Sequence, residues 1–333
     1  MALPPDRRPL WVALSDRSDP LPPGPDRLTQ GSLVLEFTPP LQSPAVLLDA
    51  HAWPGRAFSV FYDPIIGISV LQREGATVKR HLLPGPLSTR PGLARLTFAV
   101  DGPRWTLMHE QPDAGVPHTS TGTTALALSL SDLHALCTNG PGTTRHPAVQ
   151  WLGVTRGTGL PGAAPWIGLN TPIDTRRGPV RAGHLRPGDQ IATLDDGFRP
   201  LMALHRHSLP AQGSHAPVLL RSPFFGLTTD ILVSPEQMVL ISGASVEYLY
   251  GVEQALIPAA ALCDGHVAAR DGRRAVTQCL TLDLGAPLPI RADGCCLMSA
   301  FAPCDALPRR ALRAYETQPL RALLGHTALR HVA

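Results

Sequence analysis

Large apolar side chains recur at every second position in several short stretches of the first third of the chain. Leu33, Leu35 and Phe37, for example, are separated by Val34 and Glu36. The same period continues in four later stretches, at residues 58–62, 66–70, 96–100 and 105–108. A period of two is that of a β-strand, and short strands separated by turn residues are typical of an antiparallel sandwich. The pattern predicts a β-sandwich over residues 29–115, with inward-facing side chains at Leu35, Phe37, Val60, Ile68, Phe98 and Leu107.

Residues 93–108 also carry a recognisable hairpin pattern. Leu96-Thr97-Phe98 leads through Asp101-Gly102 to Trp105 and Leu107. This resembles the hairpin of concanavalin-like jelly rolls, so a jelly roll is the arrangement of the sandwich that the resemblance implies.

Prolines and glycines punctuate the whole chain. The sequence has 36 prolines and 30 glycines, and residues that break helices and form turns favour a mainly β protein. Residues 1–28 are Pro-rich and polar and are predicted to be a flexible leader. Residues 116–164 are predicted to be a connector, with a short helix at residues 131–137 that is capped by Ser131 and ends at Asn139-Gly140.

From Trp166 onward the chain consists of short predicted strands joined by tight turns. Arg186-Pro187-Gly188-Asp189 is a predicted type II turn, which needs positive φ at the glycine. Asp189 is expected to accept hydrogen bonds from nearby backbone N–H groups. Nine positions in this stretch carry a resemblance to a known family, namely Thr171, Ile173, Thr175, Gly178, Leu185, Gly188, Asp189, Ile191 and Thr193.

In type and spacing, these positions resemble the opening motif of a Hint domain, the fold shared by hedgehog and intein self-processing proteins. Four later blocks continue the resemblance, at residues 216–220, 230–237, 255–262 and 291–294. It implies a bacterial Hint domain, distinct from a true intein, with an all-β fold over residues 165–305. Residues 306–333 are predicted to be a short helical tail.

The resemblance also implies a chemistry whose reactive residues are missing. In Hint domains a thiol or hydroxyl at the first residue attacks the preceding carbonyl, and a histidine protonates the departing nitrogen. The first slot holds Trp166, and the histidine slot, three residues after Ser234, holds Gln237. The chain has no His-Asn pair. We therefore expect no catalytic residue in the vestigial slots Trp166, Ser234 and Gln237, and only structural roles for the retained motif residues.

Two classes of function follow. The first is a Hint-type self-processing protein whose cleavage and splicing activity is lost. The alternative is a non-enzymatic binding protein, in which the sandwich recognises a carbohydrate or a protein and the Hint fold is the scaffold. Trp53, Tyr62 and Trp105 are candidates for a carbohydrate platform, although aromatic residues of β domains are more often core residues.

Other reactive side chains leave several alternatives open. Thr155 and Thr158 are either shifted nucleophiles or loop threonines. His205, His207 and His215 form either a metal site or a solvated group. Cys295, Cys296 and Cys304 either bind zinc, form a disulfide or are buried thiols. The tail is either a helix docked on its own domain or one that binds a partner or a membrane surface. The interpretation adopted has no metal and no cofactor.

Net charge and apolar content limit the expected partners and cellular compartment. The formal net charge of +3 gives no electrostatic argument for nucleic acid as a partner. Residues 1–25 lack the apolar stretch of a secretory signal, and no apolar run reaches the ~18 residues of a membrane span. The six cysteines are therefore expected to be reduced thiols of a soluble, cytoplasmic protein. Export without a signal peptide remains an alternative.

Overall fold

A computed structural model describes residues 10–16, 21, 24–39, 43–51, 55–88, 91–111, 116–157, 165–299, 307–313 and 316–320. The chain forms two compact units. The first comprises Met1–Pro161 and Gln212–Ser214, and the second comprises Gly162–Ala211 and His215–Ala333. The described residues of both units are mainly β-strand, as the Pro- and Gly-rich sequence predicts.

The first unit is a sandwich of two antiparallel sheets. Its six-stranded sheet consists of β1 (Leu10–Leu14), β3 (Gln30–Phe37), β8 (Ala94–Asp101), β9 (Arg104–Glu110), β10 (His118–Thr123) and β13 (Val149–Arg156). These lie in the order β1-β13-β3-β8-β9-β10. The five-stranded sheet consists of β4 (Ala45–Ala50), β5 (Arg56–Asp63), β6 (Gly67–Glu74), β7 (Thr77–Pro84) and β12 (Thr143–Arg145), in the order β12-β4-β5-β6-β7. A separate pair is formed by β2 (Arg27–Leu28) and β11 (Leu128–Ser129).

The core of the first unit lies between its two sheets. The six side chains predicted to face inward are each at most 1% exposed, which confirms that part of the prediction. The rings of Phe37 and Tyr62 meet across the sheets with centroids 5.4 Å apart. Each large apolar side chain buried in this way contributes about 1.5–3 kcal/mol to stability.

The sandwich is larger than the alternating pattern predicts. Residues 10–14 of the predicted leader form β1, and the predicted connector supplies β10, β12 and β13. Strand β13 pairs with both β1 and β3. Because Trp151, Leu152, Gly153 and Val154 are all buried, this strand has no polar face and therefore no period-two signal.

The connector also contains the helix α1 (Leu130–Cys137). Its N-cap is Ser129 and not Ser131, because the Ser129 hydroxyl accepts the Asp132 N–H at 3.4 Å. The predicted end is close to the observed one, since Asn139 directly after the C-cap has a φ of 51°.

The described residues of the second unit form three sheets. The six-stranded sheet, in the order β19-β25-β14-β21-β20-β24, consists of the strands Ile167–Gly168 (β14), Ala203–Pro210 (β19), Val218–Leu220 (β20), Ile231–Val233 (β21), Ala268–Arg270 (β24) and Val276–Asp283 (β25). The four-stranded sheet, in the order β16-β15-β17-β18, consists of Pro172–Thr175 (β15), Gly178–Arg181 (β16), Gln190–Ala192 (β17) and Phe198–Pro200 (β18). The third sheet has five strands, Met238–Ser242 (β22), Gln254–Pro258 (β23), Pro289–Ala292 (β26), Cys295–Met298 (β27) and Arg310–Ala311 (β28), in the order β26-β27-β22-β23-β28.

Helices are short in this unit. The helix α2 (Ala244–Tyr250) follows β22. Its short 3-10 helices are Ala182–His184, Phe224–Gly226 and Ala259–Leu262, whereas Gly213 and Ser214 of the 3-10 helix Gly213–His215 belong to the first unit. Among the described residues, no helix has the length and apolar character needed to cross a membrane.

The tail differs in part from the predicted helix. Residues 317–320 are helical, but Arg310–Ala311 forms β28, which runs parallel to β23. Residues 321–333 lie outside the described residues. Leu312, directly after the strand, is buried at 3% exposure in the core of the second unit.

Candidate functional site

The start of the second unit is buried beside the strand that ends at Val233. Trp166 is 4% exposed and directly precedes β14, whose Ile167 pairs with Val233 on one side and with Leu280 on the other. Because β14 is a central strand, the peptide before it lies within reach of the residues that follow β21 and of those along β25.

Two hydroxyls flank the peptide bond between Pro165 and Trp166. The Trp166 N–H donates to the Ser234 hydroxyl oxygen at 3.3 Å, and the Thr281 hydroxyl donates to the Pro165 carbonyl oxygen at 3.4 Å. The Ser234 N–H donates to the Trp166 carbonyl at 2.9 Å. Hydrogen bonds thus hold the Trp166 nitrogen, the Pro165 carbonyl and the Trp166 carbonyl. The sequence singles out Ser234 but not Thr281, whose position depends on the pairing of β25.

Gln237 lies in the same turn as Ser234. Its backbone N–H donates to the Ser234 carbonyl at 3.1 Å, and its side chain is buried at 1% exposure. The side-chain Nε2 donates to the Met298 carbonyl at 2.8 Å and to the Met238 carbonyl at 3.3 Å. A neutral amide has two N–H donors and no titratable proton, so both donors of Gln237 are engaged by carbonyls.

The Thr171 hydroxyl is a buried polar group at this end of the unit. Thr171 is 2% exposed, and its Oγ1 makes no hydrogen bond within the described residues. A Cβ added at Gly168 would lie 3.8 Å from that oxygen. The backbone of Thr171 is fully used, because its N–H donates to the Gly168 carbonyl and its carbonyl accepts the Ala182 N–H.

The glycines and the aspartate of the motif form turns. The Asp189 N–H donates to the Arg186 carbonyl at 3.0 Å, and Gly188 has a φ of 93°, as the predicted type II turn requires. The Asp189 carboxylate accepts the Arg186 N–H at 2.9 Å. Gly178 has a φ of 102°, and its carbonyl accepts the Thr175 hydroxyl at 2.7 Å.

Leu185 and Thr193 are two further motif residues that are buried in the unit. Leu185 is buried at 4% exposure in its core. The Thr193 hydroxyl donates to the Gly197 carbonyl at 2.9 Å and accepts the Asp196 N–H at 3.1 Å. These contacts fit structural roles for the retained motif positions.

A buried thiol lies close to the start of the unit. Cys279 on β25 pairs with Gly168 and is fully buried. Burial raises the pKa of its thiol to about 12. A thiol in that protonation state is a poor nucleophile near neutral pH.

The metal hypotheses gain no geometric support. His205 and His207 lie on one face of β19 with ring centroids 6.5 Å apart. Across the ranges that the structure describes, no three His, Cys, Asp or Glu side chains are grouped as a metal site would need. Cys295 and Cys296 are free thiols, and Cys304 lies outside the described residues.

Two of the sequence candidates in the first unit, Tyr62 and Trp105, lie in its core or pack against it. Tyr62 is fully buried, and Trp105 packs against the core with its ring centroid 4.8 Å from that of His81. Neither ring forms an exposed platform, and Trp53 lies outside the described residues. Thr155 is buried in β13 and donates to the Gly157 carbonyl at 2.9 Å. Thr158 lies outside the described residues.

Comparison with known families identifies the second unit. A model of the Hint domain family matches residues 168–301. The chain contains a Hint domain. The match begins two residues after Trp166, so the Pro165–Trp166 peptide lies just before the N-terminal boundary of the matched region. A search of curated proteins found no match to the chain.

Several solved structures resemble parts of the chain at low identity. A xylan β-1,4-xylosidase from Bacillus halodurans is 10% identical over 39% of this chain and 24% of its own, with a TM-score of 0.23. The NanB sialidase of Streptococcus pneumoniae is 12% identical over 56% of this chain and 30% of its own, with a TM-score of 0.29. The basic winged bean lectin is 12% identical over 46% of this chain and 68% of its own, with a TM-score of 0.20. The matched part of this chain thus spans less than a third of the length of the two bacterial enzymes. Scores this low carry no information about ligands.

Proposed function

We propose that this Hint domain no longer cleaves the chain and instead keeps the Pro165–Trp166 peptide as an intact, buried junction. The observation that supports this most directly is the engagement of Gln237. Both of its amide N–H donors bind the carbonyls of Met238 and Met298, so the residue in the histidine position has no donor left for the Trp166 nitrogen.

The nucleophile position supports the same proposal. An indole cannot form the ester or thioester that an acyl shift requires, and Trp166 occupies the place of the attacking side chain. Ser234 does not substitute for it, because its hydroxyl oxygen accepts the Trp166 N–H and no general base contacts it in the described residues. The hydrogen bonds to Ser234 and Thr281 hold the peptide in its planar ground state.

Mass spectrometry of the purified full-length protein tests the proposal. We expect the chain to keep its mass of 35.5 kDa during prolonged incubation with dithiothreitol or hydroxylamine. Fragments ending at Pro165 and beginning at Trp166 would contradict the proposal, since hydroxylamine and thiols intercept an ester or thioester at that bond.

A restoring variant shows whether the geometry is otherwise that of a cleavable site. Trp166→Cys combined with Gln237→His places a thiol and a proton donor in the two positions. We expect thiol-dependent cleavage before residue 166 in the double variant. Trp166→Ala combined with Gln237→His is the matched control, because it has the histidine and no thiol and is expected to stay intact.

A further inference from the structure

A segment beyond the Hint match completes one sheet of the second unit. The family match ends at residue 301, yet Arg310–Ala311 adds β28 to the edge of β23 in parallel register. The Leu312 N–H donates to the Leu256 carbonyl at 2.8 Å. An extended segment that pairs with a sheet edge is a common way in which proteins bind peptides.

Arg309 is held by side chains of the Hint domain itself. Its Nε donates to Gln254 Oε1 at 2.7 Å, and its guanidinium also binds Asp195 Oδ1 at 2.7 Å. Both partners lie outside the segment. Arg309 therefore binds the Hint domain directly, through the side-chain amide of Gln254 and the carboxylate of Asp195.

Arg310 uses a different set of partners. It donates to the Tyr250 carbonyl at 3.2 Å and pairs with the Glu316 carboxylate of its own segment. The Tyr250 hydroxyl donates to the Glu316 carbonyl at 2.7 Å. Tyr250 thus contacts the segment twice, through its carbonyl at Arg310 and through its hydroxyl at Glu316. The ion pair between Arg310 and Glu316 holds these two parts of the segment together.

Two buried leucines anchor the segment, one directly after β28 and one at residue 320. Leu312 and Leu320 are 3% and 1% exposed and belong to the core of the second unit. Leu249 and Val252, near the end of α2, are partly buried and pack against the same core. Residues 307–313 and 316–320 therefore carry polar contacts that set the register and leucines that bury surface, as a bound peptide does.

We propose that this edge of the Hint domain, formed by β23, Asp195 and Tyr250, is a peptide-docking groove, and that its ligand is the 307–320 segment itself. The groove holds the segment of its own chain in the structure. It also binds the same segment when a second copy of the chain supplies it. The groove selects the sequence pattern of Arg309, Arg310, Leu312 and Glu316, that is, Arg-Arg-x-Leu-x-x-x-Glu.

Fluorescence polarisation with full-length chains and a labelled peptide of residues 307–320 tests the groove. In the wild-type chain the attached segment competes with the peptide. Arg309→Asp places a carboxylate against Asp195 and so displaces the attached segment while the groove keeps its own residues. We expect this variant to bind the peptide about tenfold more tightly than the wild-type chain does. Arg80→Asp is the matched control, since Arg80 is an exposed arginine on β7 of the first unit and lies outside both the segment and the groove; we expect wild-type affinity.

A charge exchange then locates the binding site. A chain with Asp195→Arg should bind the peptide carrying Arg309→Asp about tenfold more tightly than it binds the unchanged peptide. Asp195 and Arg309 have side-chain exposures of 35% and 30%, so neither substitution removes a core residue. Equal affinity of the peptide for the wild-type and Arg309→Asp chains would overturn the proposal, and so would failure of the charge exchange to restore binding.

Discussion

At the scale of single residues, the buried hydroxyl of Thr171 is expected to lower the stability of the fold. Its Oγ1 has no hydrogen-bond partner within the described residues, and a buried unsatisfied polar group costs about 1–3 kcal/mol. Valine has nearly the same shape without the hydroxyl. We expect Thr171→Val to raise the free energy of unfolding by about 1 kcal/mol, measured by urea denaturation of the purified chain.

The matched change at Thr193 has the opposite sign. The Thr193 hydroxyl makes two hydrogen bonds within its turn, and valine would leave the Asp196 N–H without that acceptor. Thr193→Val is expected to lower the free energy of unfolding by about 1 kcal/mol. If both substitutions destabilise the chain equally, the Thr171 hydroxyl has a partner and the first prediction fails.

At the scale of elements, the turn that joins the motif to β17 depends on the backbone of Gly188. Its φ of 93° is a conformation that β-branched residues rarely adopt, and no atom lies within 4 Å of the position where a Cβ would be. The cost of Gly188→Val is therefore backbone strain and not a clash. We expect a loss of about 1–3 kcal/mol in the free energy of unfolding, measured by chemical denaturation.

Gly272 provides the control for that turn. It also has open space around the Cβ position, but its φ is not in the positive region. Gly272→Val is expected to change stability by less than about 0.5 kcal/mol. A similar loss at both positions would mean that exposure of valine, and not the backbone of the turn, determines the cost.

At the scale of the whole molecule, two buried histidines make the stability of the first unit depend on pH. Burial lowers the pKa of His81 and of His109 from 6.5 to about 4. His81 also shares a 2.9 Å hydrogen bond with Gln72. Since the unfolded chain binds these protons between pH 6.5 and about 4 and the folded unit does not, stability is full above pH 6.5 and falls as the pH decreases through that window.

The expected loss is about 3 kcal/mol for each histidine by pH 4. Hydrogen exchange read by mass spectrometry between pH 7 and pH 4, corrected for the intrinsic exchange rate, would locate it in the strands of the first unit. The variant His109→Leu should remove about half of the pH dependence, while His184→Leu, at an exposed position, should leave it unchanged. An unchanged pH dependence in His109→Leu would refute this account.

Local sequence features were sufficient to predict the alternating strands of the sandwich and the turn at Pro187-Gly188. The alternating residues of β3 and β8 predict which side chains face inward, because a strand places successive side chains on opposite faces. Pro187-Gly188 predicts its turn because only glycine accepts that backbone conformation readily. The spacing of the motif residues likewise predicts that Trp166 and Gln237 occupy the reactive positions, and that assignment stays a prediction.

Tertiary pairing decided the rest. Alternation places Glu36 on the face opposite Leu35, but it does not show that this carboxylate is fully buried and binds Trp151 and Arg95 at 2.8 and 2.9 Å. Thr281 reaches the Pro165 carbonyl only because β25 pairs with β14, more than a hundred residues earlier in the chain. Strand β13 has no alternation because both of its faces are covered, and β28 is a strand because an open sheet edge is available to it. Local hydrophobic patterns indicate which side chains prefer burial. The residues that bury them are determined by contacts between distant parts of the chain.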